Sequence, residues 1–189
     1  MLANKMLKDE ITKHIPINIC VFDPVPGMGN FQEERVSIGK NVKNYIGFYA
    51  KDERSKGFIN VVPKCTSSTD VTIIPVPGRH ATLVGNAALD GNSGAQDLKQ
   101  VGLLVRDMAE KILTEWGVYL NNKLYFSESR IQELVKEIQQ NDKKYTDMHN
   151  VSYTLLTEND NGERIVSYGD KSETYTKIES KGVHFKKIF

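Results

Sequence analysis

Apolar positions fall in short β-branched bursts through the first half of the chain and at spacings of three and four from about residue 95 to 140. That change of period predicts strands first and helices later. Leu2, Met6 and Leu7 share one face at helical spacing, so residues 2–13 read as a helix with no capping residue ahead of it. Residues 16–22, 43–50 and 70–76 read as strands, and residues 24–41 as a charged loop rich in Pro and Gly. A helix that opens at Met1 and runs straight into a buried strand suggests a piece of a longer fold.

From Ala95 the positions Leu98, Val101, Leu104, Val105, Met108, Ile112 and Leu113 form one apolar stripe, with Gly117 as the stop. Ser127 opens a second helix whose face carries Ile131, Leu134, Val135 and Ile138, and the segment ends in a solvated terminus at residues 139–144. Residues 144–189 change character to Thr, Ser, Tyr, Asn and Lys. Asn159-Asp160-Asn161-Gly162 is a hairpin turn signal between 151–156 and 164–168, followed by a loose basic end. The fold class read from this pattern is α/β, with a mostly parallel sheet and flanking helices over residues 1–143 and a polar hairpin appendage over 144–189.

Composition narrows the field without naming a function. The chain has 189 residues and a formal net charge of +1, which gives no general bias toward nucleic acid or an anionic membrane. No apolar run approaches the ~20 residues of a membrane span, and the N-terminus lacks the apolar core of a secretory signal, so the expectation is a protein made in the cytoplasm. Cys20 and Cys65 provide neither a disulfide framework nor a metal quartet. No cofactor motif is expected: Pro26-Gly27-Met28-Gly29-Asn30 lacks the third glycine and the helix of a phosphate loop.

Two strand ends carry the chemistry. The run Ile17-Asn18-Ile19-Cys20-Val21-Phe22 breaks at Asp23-Pro24, and Val71-Thr72-Ile73-Ile74 leads to Pro77-Gly78-Arg79-His80. Buried parallel strands deliver such residues to the carboxyl-end rim of a sheet, where ligands bind. Asp23 can fix the tautomer of a histidine, and His80 is the one histidine of four that follows a strand break. The plainer alternatives are an Asp-Pro turn capping local N–H groups and a loop histidine bonded to its own backbone. No nucleophile is visible: Gly91-Asn92-Ser93-Gly94 has the wrong glycine spacing for an elbow, and Cys20 reads as a packed thiol.

Three segments in order resemble the C-terminal half of an α/β-hydrolase-like family that includes bacterial secreted phospholipase effectors. They are Val21-Phe22-Asp23-Pro24-Val25, Gly47-Phe48-Tyr49-Ala50-Lys51-Asp52-Glu53-Arg54 and Pro77-Gly78-Arg79-His80-Ala81-Thr82-Leu83-Val84-Gly85. The resemblance covers roughly residues 1–90. It implies that Asp23 matches the acid and His80 the base of a catalytic triad, and that Asp52-Glu53-Arg54 shapes the site floor. The family's Gly-x-Ser-Arg-Gly elbow would fall before Met1, so the nucleophilic serine is missing. The family's Asp-Val-Gly after the histidine is Leu83-Val84-Gly85 here.

The leading reading is therefore a remnant of a serine-type lipase or phospholipase, weakly active or inactive alone, with a lipid or ester substrate and a location that includes secretion into a host cell. Loss of the upstream strands would leave a hydrophobic sheet edge open to a protein partner or to self-association. The alternative reading is a non-catalytic interaction module on a degenerate hydrolase scaffold. A third is a small enzyme with an unrecognised nucleophile.

Overall fold

The computed structural model describes residues 2–26, 33–87, 98–150, 162–169, 171–181, 183–186 and 188–189. Four strands make the main sheet: β1 (Ile17–Phe22), β2 (Val42–Ala50), β4 (Asp70–Val76) and β7 (His184–Phe185), in the order β1-β2-β4-β7 and parallel throughout. A smaller sheet holds β3 (Val61–Val62), β5 (Ile165–Tyr168) and β6 (Lys171–Thr174), with β3 parallel and β6 antiparallel to β5. The protein is thus α/β with a mostly parallel sheet.

The period of two in β2 splits its side chains between two cores. Phe48, Ala50, Ile74 and Val76 face helices α3 (Gln100–Glu115), α4 (Glu128–Gln140) and α5 (Asp142–Asp147), through Val101, Leu104, Val105, Leu134, Ile138 and Tyr145. Tyr45, Tyr49 and Ile73 face the other way, onto Ala3 of α1 (Leu2–Lys8), Val62 and Val166 of the small sheet, and Tyr175 and Ile178 of α6 (Tyr175–Glu179). Covering both faces is what a parallel sheet requires.

Several expectations need correction. The first helix stops at Lys8 because the Asp9 carboxylate takes the N–H groups of Ile11 and Thr12 and forms a turn of its own. The expected loop 24–41 contains a short helix, α2 (Glu33–Val36). Residues 139–144 are solvent-facing as expected but are not an end: α5 spans the expected 143/144 boundary and buries Tyr145, with Met148 just beyond it. The expected hairpin strand 151–156 and most of its turn lie outside the described residues; the expected return strand is present as Ile165–Tyr168 and pairs with β3 and β6. The C-terminal end is not loose either. β7 pairs with Thr72 and Ile73 and stops short of Pro75, which has no N–H to offer a neighbour.

Among the described residues β1 is the edge strand of the sheet, although its sequence suits an interior. Ile17, Ile19, Cys20 and Val21 are only half-buried and Phe22 is 39% exposed, whereas β2 beside it is closed from Tyr45 onward except at half-buried Ile46. It carries no charge and no Pro to protect that edge.

Helix α3 approaches the loop after β4 through two glycines. A Cβ at Gly102 would lie 2.6 Å from the Gly85 Cα and 2.7 Å from its N, both backbone atoms that cannot rotate away. Gly102→Ala is expected to destabilise the fold by about 1–3 kcal/mol despite the better helix propensity of Ala, read as a lower urea midpoint. An unchanged or higher midpoint would contradict the close approach.

Candidate functional site

The backbone of β1 turns sharply at its end. Asp23 takes φ +41°, a left-handed conformation that Asp tolerates better than most residues, while its N–H still donates to Phe48 O at 2.7 Å. The side chain folds back over the end of β2, where Oδ1 accepts the Ala50 N–H at 3.0 Å. Asn60 Nδ2 donates to the same oxygen at 2.8 Å. The carboxylate is 1% exposed.

His80 reaches the same point from β4. Its Nδ1 lies 2.9 Å from Asp23 Oδ2. The two residues singled out in the sequence, 57 positions apart, are thus within hydrogen-bonding reach. The loop carrying His80 is clamped by the segment after β2. Asp52 Oδ2 accepts the Gly78 N–H at 2.6 Å, and Gly78 sits at φ +97° with its Cα against Thr82, where a Cβ has no room. Glu53 takes Arg79 in a two-pronged ion pair, Nη2 to Oε1 at 2.8 Å and Nε to Oε2 at 3.2 Å. The same carboxylate accepts the Ser55 N–H at 2.7 Å and the His80 N–H at 3.3 Å. Arg54 donates to Lys51 O, Glu53 O and Gly162 O and so ties this segment to the chain before β5.

The charge beneath the pair is the feature that sequence reasoning missed. Arg164, immediately before β5 and fully buried, donates Nη1 to Asp23 Oδ1 at 2.6 Å and Nη2 to Oδ2 at 3.2 Å. It also donates to the carbonyls of Ala50 and of Phe58. Burial alone would raise the Asp23 carboxyl, but Arg164 and the bond to His80 outweigh it and hold the group down to about 2. The hydrogen bond to Asp23 raises His80 above its ordinary value, against partial desolvation. An ionised Asp23 can only accept, so His80 Nδ1 carries the proton and the neutral ring presents a lone pair at Nε2.

That Nε2 has no hydrogen-bond partner among the described residues. The imidazole is 37% exposed and its ring centroid lies 4.9 Å from that of Phe58. Ser55 is turned to Arg79. Cys20 is half-buried against the helix-side core, and burial pushes its thiol up to about 11, the opposite of an activated nucleophile. Ser93 lies outside the described residues. A cavity of about 580 Å³, mostly apolar, is lined by Phe22 at the end of β1, by Leu83 and Val84 of the loop that follows His80, and by Gly102, Leu103 and Arg106 of α3; neither Asp23 nor His80 forms part of its wall.

A second carboxylate–imidazole contact lies on the same rim, His149 Nε2 to Asp52 Oδ1 at 2.7 Å. Asn60, Arg164 and His149 could not have been picked out from the sequence: Arg164 and His149 stand in polar segments, and Asn60 is a lone amide within the apolar run Phe58–Val62 that nothing local ties to Asp23. Among the described residues no group of three His, Cys, Asp or Glu could hold a metal ion, and no helix is long and apolar enough to cross a membrane. No protein-family model matches the chain, and no curated protein matches it in sequence.

Asp23 is lowered in the fold relative to an unfolded value of about 3.9, so its contribution to stability is present above about pH 4 and is lost as pH falls toward 2. Urea unfolding is expected to show that loss in acid, on the order of 2 kcal/mol from this group. Asp23→Asn at neutral pH strands the buried Arg164 charge and is expected to cost about 3–5 kcal/mol. A change below about 1 kcal/mol would show that the guanidinium does not depend on this carboxylate.

Proposed function

We propose that the chain supplies the acid and base of a serine-type ester hydrolase of the lipase or phospholipase class, without the nucleophilic serine. The observation that carries this reading is the hydrogen bond from His80 Nδ1 to the buried Asp23, which leaves Nε2 without a hydrogen-bond partner among the described residues. The resemblance of residues 21–25, 47–54 and 77–85 to the α/β-hydrolase-like family supports it, as does the unprotected β1 edge, where a further parallel strand would end on the same rim. In such a site His80 Nε2 takes a proton from the nucleophile, Asp23 stabilises the imidazolium, and a fatty acyl chain fits the cavity beside Leu83 and Leu103.

With water as the only nucleophile, general-base help is worth about 10²–10⁴-fold at best, and far less when the water is not positioned. Alone, the chain is thus a feeble esterase. The second reading is an interaction module on a degenerate scaffold. It is favoured by the saturation of Asp23 with Arg164, Asn60 and Ala50, which gives the carboxylate a structural task independent of catalysis.

Hydrolysis of a short-chain nitrophenyl ester and of phospholipid vesicles separates the two. The hydrolase reading expects slow turnover above the buffer rate that His80→Ala abolishes, and no labelling of any serine in the chain by a fluorophosphonate. Turnover untouched by His80→Ala would end that reading, and an absence of all turnover would leave the interaction module. A labelled serine that depends on His80 would show that the nucleophile lies within the chain.

A further inference from the structure

The carboxylate that holds His80 is shared. Asp23 Oδ1 accepts from Ala50 N, Asn60 and Arg164, while Oδ2 is divided between His80 at 2.9 Å and Arg164 at 3.2 Å. Arg164 is placed by the small sheet: β5 runs parallel to β3 with Ser167 N–H on Asn60 O at 2.8 Å, so one strand pair sets both Asn60 and Arg164 against Asp23. The guanidinium is anchored a second time by the Ala50 and Phe58 carbonyls, which leaves it little freedom to move with the carboxylate.

We propose that Arg164 is a positioning residue of the Asp23–His80 pair: it pins the carboxylate in one orientation and takes up part of its charge, so that Asp23 orients the imidazole without locking it as a cation. The base role of His80 rests on the hydrolase reading, but the sharing of charge does not, and it is read on the imidazole itself rather than on turnover.

His80 and Arg164 compete for one carboxylate. A buried carboxylate with no other cation would hold a histidine as imidazolium well beyond neutral pH, and an imidazolium cannot accept a proton. Arg164 supplies the compensating charge permanently, because a guanidinium does not titrate in this range. It also repels the imidazolium across the shared carboxylate. Among the described residues the other charged group that acts on His80 is Glu53, whose Oε2 accepts the His80 N–H and favours the cation, and which is itself paired with Arg79. Phe58 packs on the ring from the segment between β2 and β3 and contributes no charge.

The test is an NMR titration of the His80 ring in the full chain. Arg164→Gln removes the cation and keeps hydrogen-bonding capacity. It is expected to raise the His80 midpoint by about one unit or more, while Arg164→Lys, which keeps the charge, stays within about half a unit of the unchanged protein. A folded Arg164→Gln with an unchanged or lowered midpoint overturns the proposal, since a purely structural arginine would not move it upward. Should Arg164→Gln fail to fold, the unchanged protein still decides. The Arg164 guanidinium ¹⁵N resonances should shift with the same midpoint as His80, and His80→Gln should abolish that shift. Guanidinium resonances that ignore the His80 titration overturn the proposal.

Discussion

A carboxylate removed from water must find its charge and its hydrogen bonds inside the protein, and the environment of Asp23 is organised around that requirement. Five contacts converge on its two oxygens, from β2, from Asn60, from Arg164 and from His80. They come from four parts of the chain, so the small sheet, the C-terminal segment and the loop after β4 must be in register for the charge to be compensated. Pairing buried ions costs desolvation and is a weak source of net stability, but breaking such a pair is expensive. The pair therefore discriminates against packings that leave Asp23 alone.

The same logic is repeated one strand over. Glu53 and Arg79 are each 1% exposed and hold each other through two bonds, and the loop between β4 and α3 hangs from that pair and from the Asp52–Gly78 contact. Both carboxylates of the Asp52-Glu53 step thus serve the placement of His80, one at the start of its loop and one directly beneath its backbone. The imidazole itself is less constrained: it is 37% exposed, and its Nε2 has no hydrogen-bond partner among the described residues.

Strands β1, β2 and β4 of the main sheet were legible because they are largely apolar runs, whereas the two-residue β7 was not, and the helices α3 and α4 were legible because their stripes persist for several turns. Asp23 and His80 were legible because each ends such a run at a Pro or Gly. The rest was hidden for a physical reason. Residues 164–168 read as a strand, but neither that short strand nor its two-residue partner β3 marks Arg164 as the residue that reaches Asp23. Its role depends on a contact across 141 positions of sequence. Beyond the solvated stretch 139–144, Tyr145 and Met148 stand alone among polar and charged neighbours and leave no apolar pattern, yet both are fully buried. Long-range burial, rather than local pattern, decides these positions.

The central claim is that an ionised Asp23 fixes His80 with its proton on Nδ1 and a free lone pair on Nε2. The most direct measurement is the tautomer of His80 by long-range ¹H–¹⁵N correlation at a pH above its titration. The account predicts a protonated Nδ1 with a downfield proton and an unprotonated Nε2. A neutral ring protonated at Nε2 would contradict it, because an acceptor-only carboxylate at 2.9 Å could not then face a bare Nδ1.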